Sequence, residues 1–289
     1  MKPARATTPL AMRRLSRRLK GRGKSLAFVP TMGGLHAGHL SLVRLAVREA
    51  DHVCVSVFVN PLQFGPSEDY ARYPRDTKRD LSLLAEAGVD VAYVPAAEAM
   101  YREGFASRAT VTGLDSVFEG ASRPGHFAGV CTVVLKLLHA VMPDEIWLGQ
   151  KDAQQCVVLE RLVADLDLPI RVRRGPTVRE SDGLALSSRN AYLTAAERAQ
   201  APVLYQALVL ARDAARAGER DPVRLRERIV RHVVTAPLAR LDYVEVVHPR
   251  TLARVDRVEG DVLLLVACRF GSARLIDNLA FRAGAGEPA

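Results

Sequence analysis

The strongest constraint on this chain is a rhythm in its first 178 residues, where short apolar runs alternate with stretches whose apolar residues recur at helical spacing. "SLAFV" (25–29) reads as a buried strand, and Leu40, Val43, Val47 and Ala50 mark one face of the helix after it. "HVCVSVFV" (52–59) is a second, Val-rich strand, and "DTKRDLSLLAEAG" (76–88) a helix that stops on Gly88. The pattern continues through "VDVAYVP" (89–95), an apolar helix over about 129–142, "EIWLG" (145–149), a helix over about 152–166 and "PIRVRRGPTV" (169–178). Upstream, Leu10, Met12, Leu15 and Leu19 suit a short helix leading into the first strand.

Strand followed by helix, repeated, predicts an α/β fold: a doubly wound, Rossmann-like, mostly parallel sheet. Such sheets bind ligands beyond the carboxyl ends of their strands. After residue 178 the rhythm changes to two long helical stretches (194–217 and 222–234) and two β-rich runs, "LDYVEVVH" (241–248) and "VLLLVACRF" (262–270). We therefore expect a Rossmann-like domain over 1–177 and a smaller α+β domain over 178–289. The loop "RESDGLALSSRN" (179–190) falls at the junction, where ligand clefts usually form.

Charge narrows the function. The net charge is +9, but residues 1–24 hold nine Lys or Arg and no acid, which leaves 32 bases against 32 acids in the rest. A neutral body lacks the extended phosphate-binding face that nucleic-acid binding requires. Arg-rich, acid-poor segments also serve as organelle-targeting peptides, but the leucine spacing favours a solvated basic helix face. No run approaches the roughly 18–20 apolar residues of a membrane span, so no membrane role is expected. Cys54, Cys131, Cys156 and Cys268 are scattered through apolar runs without metal-ligand spacing, which suits core packing in a reducing cytoplasm and indicates no metal site.

Four stretches carry chemistry. In "VPTMGGLHAGHL" (29–40) a strand ends at a proline, Gly33 and Gly34 permit close backbone approach, and Gly38 and His39 fall where helix amides point outward. A helix start of this kind attracts phosphate. Two neutral imidazoles could donate to phosphate oxygens, and the positive helix end favours their neutral form. Alone, His36 and His39 would read first as polar cap residues; the glycines and the strand-to-helix position shift the balance towards phosphate. "FVNPLQFG" (58–65) places Asn60 and Gln63 at the next strand end, as amides able to donate to and accept from a small polar acid, or as an ordinary Asn-Pro turn. "GQKDAQQ" (149–155) repeats the strand-to-helix geometry. Lys151 is the last of only six lysines against 35 arginines, which suggests a compact point charge on phosphate where Arg would not serve, or simply a solvated helix start. In "LSSRN" (186–190), Ser187, Ser188 and Arg189 supply two hydroxyls and a fork of donors suited to phosphates, or an ordinary polar loop.

Together these stretches resemble the HxGH nucleotidyltransferase superfamily, shared with class I aminoacyl-tRNA synthetases, and within it the pantoate-β-alanine ligase family. "SVFVNPLQFGPSEDYARYPR" (56–75), "EGASRPGHFAGVCTVVLKL" (119–137), "DGLALSSRNAYL" (182–193) and "ARLIDN" (273–278) agree and occur in family order over nearly the whole chain. The resemblance implies ATP-dependent joining of pantoate to β-alanine through a pantoyl adenylate, with release of pyrophosphate and AMP, by a cytoplasmic homodimer whose Mg²⁺ arrives on the ATP. It implies catalytic roles for His36, His39 and Lys151. Nucleotide contacts are implied for Met32, Gly33, Gly34, Leu35, Ala37 and Gly38 beside the histidines, for Gly149, Gln150 and Asp152 beside the lysine, and for Val178, Leu186, Ser187, Ser188 and Arg189. Pantoate and β-alanine fall to Gln63 and Gln155, with Asn60 and Arg123. The small domain would act as a lid over the adenylate. Two departures stand out, because the family pattern is Gly-Glu-Lys-Asp followed by an aromatic, whereas this chain has Gln150 and Ala153. Two other readings remain at this point: a different HxGH nucleotidyltransferase, which would not need the amide-rich "NPLQF" and "KDAQQ", and a nucleotide-binding regulator without turnover.

Overall fold

Residues 2–66 and 68–284 are described by a computed structural model. The chain divides into two compact units, one of residues 1–150 and 154–176, the other of 151–153 and 177–289. In chain order the first unit contains β1 (Ala4–Ala6), α1 (Pro9–Leu19), β2 (Leu26–Thr31), α2 (Ala37–Glu49), β3 (His52–Val57), α3 (Thr77–Glu86) and β4 (Val91–Tyr93). Two short turns of helix, α4 (Ala97–Met100) and α5 (Glu119–Ser122), precede α6 (His126–Val141), β5 (Glu145–Gly149), α7 (Ala153–Asp165) and β6 (Arg171–Gly175).

The strands form one sheet in the order β1-β4-β3-β2-β5-β6, parallel at every pairing. From β2 the chain winds outward through β3 and β4, then returns to the other side of β2 for β5 and β6. The order therefore reverses between β2 and β5, the switch point at which open α/β sheets bind ligands. Side chains alternate across β2: Leu26 and Phe28 pack with the residues of α6 and α7, while Ala27 and Val29 pack with Leu42, Val43 and Ala46 of α2 and Leu84 of α3. Both faces are covered, which is why these strands read as continuous apolar runs.

The second unit has its own core. It holds α8 (Ala195–Gln200), α9 (Val203–Arg216) and α10 (Pro222–Val233), then β7 (Ala239–Val247), β8 (Gly260–Phe270) and β9 (Ala273–Ala283) in an antiparallel sheet of order β7-β8-β9. Leu204, Leu208 and Ala211 of α9 and Leu225 and Ile229 of α10 close on Val262, Leu264 and Val266 of β8. Among the described residues no helix is long and apolar enough to cross a membrane.

Four details depart from the sequence reading. β1 is an additional edge strand, three residues pairing with β4. The stretch 194–217 is two helices, because Pro202 at the start of α9 has no amide hydrogen to continue α8. A third strand, β9, carries "ARLIDN". Finally, the base of the 179–190 loop is a small hairpin: Leu186 N donates to Val178 O at 3.0 Å and Glu180 N to Leu184 O at 2.8 Å, around an Asp182-Gly183 turn that is a common hairpin signal.

Candidate active site

The loop from β2 to α2 is held by the protein's own hydrogen bonds. Gly33 and Gly34 adopt φ of +86° and +61°, and a Cβ on Gly33 would come within 2.9 Å of the Asp80 carboxylate. Asp80, buried in α3, takes Gly34 N at 3.1 Å and Leu35 N at 2.9 Å. Thr31 Oγ1 accepts from Gly33 N at 3.3 Å. The loop then enters α2 through a reciprocal cap: His36 Nδ1 accepts from Gly38 N at 3.2 Å, and His39 Nδ1 from His36 N at 3.4 Å. The two rings are tilted by 41° with centroids 4.1 Å apart. Since both Nδ1 atoms accept from backbone, each neutral ring carries its proton on Nε2, the tautomer that donates. The cap role thus occupies Nδ1 of both histidines.

Gln63 is set from several sides. Asn60, wholly buried, donates Nδ2 to Gln63 Oε1 at 3.0 Å and to Gly129 O at 3.1 Å, while its Oδ1 accepts from Leu62 N and from the Tyr101 hydroxyl at 2.6 Å. All four bonding positions of the Asn60 amide are used. With Oε1 engaged as acceptor, Gln63 presents Nε2 as donor, and it meets Met32 Sδ at 2.9 Å. The close approach of this turn to α6 depends on Gly129, where a Cβ would collide with the Leu62 carbonyl.

Behind Gln63, His126 Nδ1 bonds to its backbone carbonyl at 2.8 Å, and the Arg123 guanidinium lies 3.1 Å from His126 Nε2. Arg123 donates to both Glu68 oxygens at 2.7 Å and to Glu119. Its fork is therefore committed to carboxylates of the protein. Because Arg123 donates to Nε2, His126 is a neutral Nδ1–H donor, and burial, with Arg123 second, pushes its pKa down to about 4.

Two adjacent glutamines in α7 have different surroundings. Gln154 is buried and clamps the 114–119 segment, donating to Leu114 O and Val117 O at 2.9 Å and accepting from Glu119 N at 3.0 Å. Gln155 is half-buried. At the end of β5, Gly149 O accepts from the Cys156 thiol, and Gln150 Oε1 accepts from Arg174 at 3.3 Å, while Arg174 also grips Glu160.

In the second unit, Lys151 Nζ is 3.4 Å from Asp152 Oδ1, and its backbone carbonyl accepts from Asn278 Nδ2 at 2.9 Å. Ala153 is buried. Val178 and Leu186 face each other across the hairpin. Ser187 caps the 3-10 turn Ser188–Tyr192, its Oγ accepting from Arg189 N at 3.2 Å, which leaves its hydroxyl hydrogen as a donor.

The sequence reading assigned no individual role to Asp80, His126, Asp277 or Asn278, although the last three lie in the quoted motifs "EGASRPGHFAGVCTVVLKL" and "ARLIDN". Asp80 had only a local signal, a charged residue four before Leu84 on the buried face of α3.

The model of the family Pantoate-beta-alanine ligase matches residues 5–280. A pantothenate synthetase of Chloroflexus aurantiacus is 58% identical over 255 residues, 88% of this chain and 90% of that one. One from Carboxydothermus hydrogenoformans is 54% identical, covering 90% and 92%. The crystal structure of pantothenate synthetase from Thermus thermophilus superposes with a TM-score of 0.91 at 49% identity, covering 96% of this chain and 98% of that one. The Francisella tularensis enzyme, solved as a complex with beta-gamma ATP and beta-alanine, gives a TM-score of 0.79 at 34% identity over 96% and 97%.

Proposed function

This chain belongs to the pantoate-beta-alanine ligase family and is an ATP-using ligase of pantoate and β-alanine, and on that premise we propose how its residues divide the work. The reaction runs in two steps. A pantoate carboxylate oxygen attacks the α-phosphorus of ATP, the α–β phosphoanhydride bond breaks and pyrophosphate leaves. The unprotonated amine of β-alanine then attacks the acyl carbon, AMP leaves with the acyl oxygen, and the nitrogen loses a proton.

A carboxylate is already ionised at neutral pH, so the first step needs placement and charge stabilisation rather than a base. His36 and His39 donate Nε2–H to the α-phosphate, whose charge is redistributed as the bond breaks. Gly33, Gly34 and Gly38 allow the nucleotide close to the backbone, with Met32, Leu35 and Ala37 lining the approach. Gln63 and Gln155 hold pantoate. Asn60 and Arg123 act on Gln63, one by fixing its amide and the other by holding its carbonyl directly and through His126. Lys151, flanked by Gly149, Gln150 and Asp152, places a point charge on the phosphates, and Ser187, Ser188 and Arg189 donate to the β- and γ-phosphates, with Val178 and Leu186 contacting the nucleotide. Mg²⁺ enters as part of the substrate, on the ATP phosphates. The functional form is a homodimer.

The observation that carries this reading is the paired cap at the start of α2, in which both histidines spend Nδ1 on backbone amides and carry their proton on Nε2. Exchange of labelled pyrophosphate into ATP tests it. Exchange should require pantoate, proceed without β-alanine and fall by about 10² to 10³ in His36→Ala and in His39→Ala. A strict need for β-alanine would contradict the two-step account, and near-normal exchange in both variants would leave the histidines as helix caps only.

A further inference from the structure

The motif "ARLIDN" has no task in the chemistry above, yet its last two residues are buried polar groups with specific partners. On β9, Asp277 pairs with Val266 and Asn278 with Leu265 of β8, so both are mounted on a paired strand rather than on a loop. Asp277 follows Ala273 and Leu275 on the buried face, where an aliphatic side chain would be the ordinary choice. It accepts instead from Arg179 Nη1 at 2.6 Å and Nη2 at 2.8 Å. Arg179 is gripped further by the carbonyls of Gly183 and Asn278, at 3.0 and 3.3 Å, and lies 3.8 Å over the Tyr205 ring. Asn278 donates Nδ2 to the carbonyl of Lys151 at 2.9 Å.

Stability alone does not account for this arrangement. A buried ion pair gains little over a well-packed apolar pair, because two charges must be stripped of water. What a bidentate fork supplies is orientation. Arg179 is one strand of the hairpin that runs directly into Ser187, Ser188 and Arg189, so fixing its guanidinium fixes that hairpin. Lys151 is reached by the neighbouring residue of the same strand.

We propose that Asp277 and Asn278 are positioning residues for the ligase reaction: they set the Lys151 backbone and the hairpin leading into Ser187–Arg189 as one piece. This rests on the reading of Lys151 and the serine-arginine loop as phosphate-contacting groups. Misplacing such donors by about 1 Å costs roughly 10²-fold in rate.

Pyrophosphate exchange on purified, folded variants tests this. Asn278→Ala should lower kcat by about tenfold or more while the KM for pantoate stays within about twofold, since Gln63 and its supports are untouched. Asn278→Ser, which keeps a short donor, should recover part of the loss. Combining Asp277→Asn with Asn278→Ala should cost less than the product of the single losses, as expected of residues acting through one piece. If Asp277→Asn does not fold, Arg179→Lys keeps the charge and removes the fork, and it should lower kcat in the same way. Wild-type kcat in folded Asn278→Ala, losses that multiply in full, or a kcat unchanged in Arg179→Lys would each overturn the proposal. Lys151→Ala separates the two readings. If it exchanges at the wild-type rate, the phosphate role of Lys151 fails. If it is inactive while Asn278→Ala is normal, only the present inference fails.

Discussion

At the scale of single residues, hydrogen bonds within the protein fix the orientation of the rings and amides proposed as site groups. Backbone amides occupy Nδ1 of His36 and His39, Asn60 occupies Oε1 of Gln63, and in each case the opposite end is a donor. Gln150 keeps the shape of the family's glutamate without its charge, and its carbonyl oxygen accepts from Arg174. The fold resists protonation of His126. Burial and the Arg123 guanidinium hold its pKa near 4, whereas an unfolded imidazole titrates near 6.5. As pH falls through that window the unfolded chain binds a proton that the folded chain refuses. The stability is therefore fully present above about pH 6.5 and is lost progressively towards pH 4, by up to about 3 kcal/mol. Urea unfolding of wild type and His126→Gln at several pH values between 4 and 7 checks this. The variant should show a flatter profile, and an identical slope would remove His126 from the account.

Elements are placed by close approaches as much as by apolar stripes. α6 is apolar along most of its length and would tolerate alanine at Gly129 on propensity grounds, with a gain of about 1 kcal/mol. The turn that carries Gln63 reverses that expectation, because an added methyl would run into the Leu62 carbonyl. Overpacking of this kind costs about 1–3 kcal/mol and outweighs the propensity gain. Gly129→Ala should therefore lower the urea midpoint and raise the KM for pantoate by displacing residues 60–63. A variant more stable than wild type with an unchanged KM would show that the turn yields at no cost. Asp80 does for the glycine loop what Gly129 does for this turn, tying α3 to the amides of Gly34 and Leu35.

For the whole molecule, each compact unit has a core of its own, the first on both faces of the parallel sheet and the second between α9, α10 and the antiparallel sheet. The single tryptophan, Trp147, lies in β5 within the first unit, whereas the helices and strands of both units contribute to far-ultraviolet circular dichroism. Denaturation followed by Trp147 fluorescence should thus give a transition that does not coincide with the one seen by circular dichroism. Superimposable curves would mean that the two cores melt as one cooperative body.

Local pattern was enough to specify the central strands and the helices between them, because a strand buried on both faces must be apolar throughout and a helix on a sheet must be apolar along one stripe. The Gly-rich, His-bearing stretch after β2 was legible for a similar reason: its glycines, cap residues and helix start are neighbours in sequence. Tertiary structure decided how those groups are held. Asp80 is 46 residues from Gly34, Asp277 is 98 from Arg179, and Asn278 is 127 from Lys151; contacts of that span leave no periodic trace in the chain. The same holds for β1, whose three residues become a strand because β4 offers them an unpaired edge, and for the pair Gln154 and Gln155, identical in type and adjacent, which only the packing of α7 separates into a buried clamp and a half-buried amide.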